Sequence, residues 1–253
     1  MAINHDFLKT GFFSQDFSQV PCPNCQKNLH LDEKTVAHGE TADSAENSRF
    51  DGHDVDLWEG RFSCLLRCAN CFEAVAVAGR CGLELWGNGE GGHEEEMVFY
   101  PMFFQNAPHI FSIPEEVPAE VAAEVKKAFE LYWSDASASG NRIRTSIEML
   151  LTHLKVKRFT INSRGKREVV SLNNRIAILQ SRRPNLSQEF IDALTAIRHL
   201  GNAGSHPAGL TKDDVLDAMK ILDHILQEIF VQHGRKVAQI THEINRRKGP
   251  RSK

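Results

Sequence analysis

The chain has 253 residues, 41% of them hydrophobic and 25% charged, with a formal net charge of −3. That length suits one large domain or two small ones, and the composition is that of a soluble globular protein rather than a disordered or fibrous one. The opening MAINHDFLKTGFFSQDF has no basic flank leading into an apolar run, and no stretch approaches the roughly 20 apolar residues of a membrane helix, so a cytoplasmic location is expected.

The first half reads as short strands and turns. FSCLLRC, FEAVAVAG and GLELWG are apolar or alternating runs bounded by Gly and Asn, the pattern of strands. Residues 40–56 are polar and aperiodic and read as a loop, and residues 87–96 as a Gly-rich acidic turn. The segment 106–118 carries three prolines and reads as a linker into a helix start at Pro118. From there the period becomes helical. Val121, Val125, Ala128 and Phe129 form one stripe, and Ile143, Ile147, Leu150, Leu151 and Leu154 a second. Residues 155–170 are basic and loop-like, and SLNNRIAILQ is a short helix. Ser187 caps a helix bearing Phe190, Ile191, Leu194 and Ile197. Thr211 and Asp214 form a capping box for a long last helix from Val215 to Ile229. The expected class is therefore α+β: a β-rich module over 1–115, an all-α domain over 116–246, and a basic disordered tail over 247–253.

Two C-x-x-C pairs, Cys22/Cys25 and Cys68/Cys71, carry the first chemistry. Each pair can offer two thiolates from a tight turn, and two pairs complete a tetrahedral zinc site. Such an ion would be structural and would add folding energy to a module too small to bury much core. A redox role for one pair is the alternative, although no thioredoxin-like βαβ pattern surrounds either. His30 could stand in for a cysteine. Cys64 and Cys81 fall outside the pattern and read as small buried apolar residues.

The second candidate site lies around RHLGNAGSHP, residues 198–207. Arg198 falls one turn after Leu194 and so lies beside the apolar stripe. Gly201 and Asn202 tolerate positive φ and read as the helix stop, with His206 just beyond. An arginine on the last turn and a following histidine could converge on one small anion. On the preceding helix Arg144 and Glu148 stand four apart, next to the apolar stripe, where a glutamate wants a cation from Arg144 or Arg198. A purely structural set of tasks stays open: Arg198 neutralising Glu148, Asn202 ending the helix, His206 bonding a free carbonyl.

The ordering of cysteine pairs, Tyr100-Pro101, IPEEVP, Arg144-x-x-x-Glu148 and IRHLGNAGSH resembles the bacterial domain of unknown function 4145 family from about residue 20 to 232. That family is similar to the HEPN superfamily of helical domains, many of them metal-independent ribonucleases of defence and toxin–antitoxin loci. The resemblance implies a HEPN-like bundle, a homodimer with a shared site, and an Arg–polar–His signature carried here by Arg198, His199 and His206. Seven residues separate Arg198 from His206, more than the usual HEPN gap. In that chemistry Asn202 could donate a further hydrogen bond and Glu148 would orient an arginine, Arg144 or Arg198.

The net charge conceals a split. Residues 1–140 hold 9 Lys+Arg against 23 Asp+Glu (−14), and residues 141–253 hold 21 against 10 (+11). Lys155, Lys157, Arg158, Arg164, Lys166 and Arg167 cluster, followed by Arg175, Arg182 and Arg183, with more in the tail. Such a surface can grip phosphates without reading sequence. The expectation is a zinc-bearing, HEPN-like endoribonuclease or RNA-directed effector. The alternative is a non-catalytic module binding nucleic acid or a partner within a larger complex.

Overall fold

The structure is a computed structural model describing Leu8 and residues 11–49, 57–87, 93–203, 209–231 and 241–247. Strands come first and helices follow. β1 (Leu29–Leu31) and β2 (Ala37–Glu40) pair antiparallel with successive parts of one edge of β3 (Glu59–Cys68). On the other edge of β3 lies β4 (Ala74–Gly87), and beyond it β5 (His93–Phe104). β3 alternates as a half-covered strand must, with Phe62, Cys64, Leu66 and Cys68 turned inward.

Several expectations for this half change. Two of the anticipated strands are one continuous β4, and the acidic turn contains the start of β5 at His93. Residues 40–56 contain a short helix, α1 (Ala42–Asn47), capped by Thr41; residues 50–56 lie outside the described residues. The Tyr100-Pro101 element sits at an irregularity. Ala78 pairs with Phe103 and Gly79 with Pro101, which leaves Met102 as the extra residue. A proline cannot donate to a ladder, so a bulge is where a strand can hold one.

Segment 106–118 is no free linker. Ala107, Ile110, Phe111 and Val117 are buried, and Phe111 meets Phe129 edge-on at 5.0 Å. It leads into α2 (Ala119–Tyr132) and α3 (Ala136–His153). Then come α4 (Leu172–Arg182), α5 (Gln188–Ala203) and α6 (Lys212–Leu226), a π turn over Gln227–Val231, and a helical segment over 241–247. Caps fall where short polar side chains sit. Asp135 accepts from Ala138 N, Ser187 from Phe190 N, and Thr211 with Asp214 closes a full capping box. α3 packs against α2, α4, α5 and α6, and its stripe of Ile143, Ile147, Leu150 and Leu151 is fully buried. Each such side chain contributes roughly 1.5–3 kcal/mol of transfer free energy. One apolar cluster runs from the sheet into the helices through Phe12, Phe104 and Trp133. Among the described residues no helix is long and apolar enough to cross a membrane.

The basic segment 155–170 is a hairpin rather than a loop. β6 (Phe159–Ile161) pairs with β7 (Arg167–Val169). Asn162 builds its turn: its Oδ1 accepts from Arg164 N and Lys166 N, its Nδ2 donates to Glu168, and Gly165 supplies φ +71°. Arg167 lies 3.6 Å above the Phe159 ring and Arg158 5.6 Å from it.

Candidate functional site

The four expected cysteines converge. Cys22 Sγ lies 3.6 Å from Cys71 Sγ and Cys25 Sγ 3.4 Å from Cys68 Sγ, all four within 4.8 Å of one another. Two turns of the same design bring them together. Cys22 N donates to Lys27 O and Gln26 N to Cys22 O; Cys68 N donates to Glu73 O and Phe72 N to Cys68 O. Gln26 and Phe72 close these turns in the left-handed region at φ 60° and 62°. Gln26 anchors itself there, its Nε2 donating to Cys22 O and reaching His109 Nδ1 at 3.3 Å. Burial pulls His109 down to about 4, so its ring is neutral around pH 7. Burial pushes the Cys22 thiol up to about 12, while the backbone N–H of Lys27 holds that of Cys25 down to about 6. The cluster could hold one metal ion. His30 stands on β1 opposite Arg67 and is not among its members. Cys64 and Cys81 are buried as expected, and burial pushes Cys64 up to about 11.

The second site forms where α3 and α5 meet. Gly201 does not end its helix: α5 continues through Gly201 and Asn202 to Ala203. Its glycine serves packing instead. A Cβ built on Gly201 would stand 2.8 Å from Arg144 Cβ and 2.9 Å from Arg144 Cδ. The Arg144 stem thus lies across the bare backbone of Gly201, and its Nε reaches Glu148 Oε1 at 3.5 Å. Of the two cations anticipated for Glu148, Arg144 is the one that pairs with it. One turn before Gly201, Arg198 is half-buried, with its Nε enclosed and lacking a partner. Its Nη2 donates to His199 Nε2 at 2.6 Å. Asn202 occupies the last turn of α5; its side chain and the whole of His206 lie outside the described residues.

Residues 126–247 match the family model of Domain of unknown function (DUF4145). The DUF4145 stretch holds α3, α5 and every helical site residue named above. The cysteine half belongs to a separate match, Domain of unknown function (DUF8608), over residues 10–104. The resemblance seen in the sequence from about residue 20 thus splits into two family matches. No curated protein and no solved structure matches the chain.

Within the DUF4145 stretch, Lys155, Lys157, Arg158, Arg164, Lys166, Arg167, Arg182 and Arg183 are all exposed. The first six lie on or beside the hairpin, and Arg182 joins its base by donating to Lys155 O. Arg175 departs from this group. It is 1% exposed, and its Nη2 donates to Thr152 Oγ1 and Val156 O, tying α4 to the end of α3. Desolvation lowers its pKa, and nearby Glu148 acts in the opposite direction. The sequence did hold a signal for this, because Arg175 falls one position before Ile176 on the inner stripe of its helix.

The Gly201 contact makes a prediction. Alanine favours a helix over glycine by about 1 kcal/mol. At this position Gly201→Ala should nonetheless lower stability by about 1–3 kcal/mol, since the new methyl meets the rigid root of the Arg144 side chain. Thermal denaturation checks this, and a higher melting temperature would refute the packing role.

Proposed function

We propose that the chain is a HEPN-like, RNA-directed effector whose helical half cleaves RNA without a catalytic metal, working as a homodimer, with a structural zinc ion in its cysteine half. The observation that carries the reading is the contact between Gly201 and Arg144, which brings the Arg144/Glu148 pair to the helix bearing Arg198 and His199. In this reading Arg198 holds the scissile phosphate and stabilises the charge that grows on it. The 2′-oxygen attacks phosphorus while one histidine, His206, takes its proton. The P–O5′ bond breaks, and the leaving oxygen takes up a proton, returned by the protonated His206 or supplied by water. The products carry a 2′,3′-cyclic phosphate and a 5′-hydroxyl. Glu148 holds Arg144 in place, and Asn202 adds a donor. The hairpin cations, with Arg182 and Arg183, grip the RNA backbone. Zinc suits the cysteine cluster, because a tetrahedral ion with Zn–S bonds of about 2.3 Å needs sulfur–sulfur edges of about 3.8 Å.

The exposure of every hairpin cation favours a second reading, a module that binds nucleic acid without cutting it. Incubation of zinc-loaded protein with total RNA and transfer RNA, in buffer free of other divalent ions, separates the two. The first reading expects cleavage by wild type that leaves cyclic phosphate ends and falls by about 10³-fold or more in His206→Ala and Arg198→Ala. Salt-dependent binding without cleavage would support the second reading and sink the first.

A further inference from the structure

The hairpin of β6 and β7 carries more than a grip on phosphates needs. Ile161 is 73% exposed and Val169 69%. Phe159 pairs with Val169 and Ile161 with Arg167, so these four side chains share one face of the ribbon. Around them stand Lys157, Arg158, Arg164 and Lys166, and no hairpin cation has a carboxylate partner among the described residues. A phosphate backbone answers the cations but offers the aliphatic pair nothing apolar. A surface that covers both is acidic and apolar at once.

The sheet carries such a surface at one corner. β3 begins at Glu59, one residue before the partner of Cys81 and opposite Gly82. Residues 83–87 of β4 therefore have β5 on one side and, among the described residues, no strand on the other. This open edge leaves backbone donors and acceptors unpaired. Beside it lies a depression of about 810 Å³, with Leu57, Trp58, Leu83, Glu84 and Leu85 in its lining. Leu57 is 62% exposed and Leu85 40%. Glu84 stands directly opposite Glu96 across β4 and β5, and Leu85 opposite Glu95. Like charges in that register repel. Among the described residues no cation pairs with these three glutamates. Arg80, the cation nearest to Glu84 in sequence, turns instead to Glu59 at 3.9 Å and the Tyr100 ring at 5.7 Å.

We propose that the hairpin of one chain docks on this corner of a second copy. Ile161 and Val169 cover Leu57 and Leu85, the hairpin cations answer Glu84, Glu95 and Glu96, and the free edge of the hairpin runs along residues 83–87. Three matches select a second copy of the chain as the occupant. The charges are opposite, each surface exposes an aliphatic pair, and each ends in an unpaired strand edge. The hairpin does not cover its own corner, since all four aliphatic residues stay exposed in the single chain. The split of −14 in residues 1–140 and +11 in residues 141–253 favours contact between unlike halves and opposes contact between like ones. One consequence rests on the ribonuclease reading: docking covers the cations that grip RNA, so self-association keeps that face closed until RNA competes for it.

Sedimentation velocity of the full chain, without RNA, tests the contact. Salt-sensitive self-association is the readout, which sets this charged contact apart from the dimer of the ribonuclease reading. It should be present at about 100 μM chain in about 0.05 M salt and weaken about tenfold or more in about 0.5 M. Glu84→Lys/Glu96→Lys should weaken it as much, and so should Lys157→Glu/Arg164→Glu/Lys166→Glu. These side chains lie at the surface, so circular dichroism should not change. Ile161→Ser/Val169→Ser keeps every charge and should weaken it too. The deciding arm mixes the two charge-reversed proteins. Each alone presents like charges at the contact, whereas together each offers the other a complementary surface, so the mixture should associate. Absence of salt-sensitive association, its retention in both reversals, or a mixture that stays dissociated would overturn the proposal. Full association of Ile161→Ser/Val169→Ser would also overturn it, by reducing the contact to charge alone. No RNA enters these measurements, so they can fail while RNA cleavage stands and succeed where cleavage fails.

Discussion

Replacing Cys68 with serine should remove one metal equivalent per chain and lower the melting temperature by about 10 °C or more. The reason lies in what Cys68 joins. It ends β3, pairs in register with Leu29 of β1, and donates its backbone N–H to Glu73 O, so one residue serves the ladder, the second turn and the sulfur cluster. A structural ion contributes directly to folding free energy. This chain has a large apolar core of its own, so the expected loss is roughly 3–5 kcal/mol rather than complete unfolding. Cys64→Ser is the matched control, because Cys64 is buried two turns of the pleat away on the same strand and lies outside the cluster. Metal analysis should give unchanged content for Cys64→Ser and loss for Cys68→Ser. Hydrogen exchange should accelerate first in residues 20–31 and 66–73. Full metal content in Cys68→Ser would contradict the four-cysteine assignment.

A second large effect is expected from Gly79→Ala. The added methyl would press into Tyr100 O and stand 2.9 Å from Met102 N, with Phe62 Cε1 at 3.0 Å. The first two are backbone atoms inside the β4–β5 ladder and cannot swing aside as a side chain can. Removing the clash means parting the two strands at the bulge. The cost should be about 3 kcal/mol or more, near the upper end of single-substitution effects. Gly165→Ala in the hairpin turn provides a contrast, since nothing lies within 4 Å of its added methyl and only the positive φ opposes it. Equal denaturant midpoints for the two variants would show that the bulge is not the constraint described.

The cysteine cluster was legible because two C-x-x-C pairs restrict chemistry by spacing alone. The Arg144–Glu148 pair was legible because four residues make one helical turn. The role of Gly201 was not, because a glycine near the end of an apolar stripe reads as a stop, whereas a close approach between helices depends on a residue 57 positions away. The hairpin was hidden because its strands are only three residues long and rest on side-chain contacts around Asn162 and Phe159 rather than on an alternating apolar face. β5 was masked by the acidic run His93–Glu96, which resembles turn chemistry even though the strand continues through it. Arg175 was grouped with surface cations because charge, read without the phase of its helix, says nothing about which way a side chain faces.

The buried passage between the two family matches has a mechanical consequence. Residues 105–125 join the DUF8608 stretch to the DUF4145 stretch, and Ala107, Ile110, Phe111, Val117 and Val121 seat that join in the shared core. Two modules strung on a tether would sample each other's positions by diffusion, and their cooperation would depend on tether length. Here the cysteine turns and the helical face are parts of one lever, with Phe12, Phe104 and Trp133 at its fulcrum. A load placed on the sheet must reach the helices as strain rather than as a change in local concentration. Lengthening the join with flexible residues would therefore disconnect the halves instead of extending their reach.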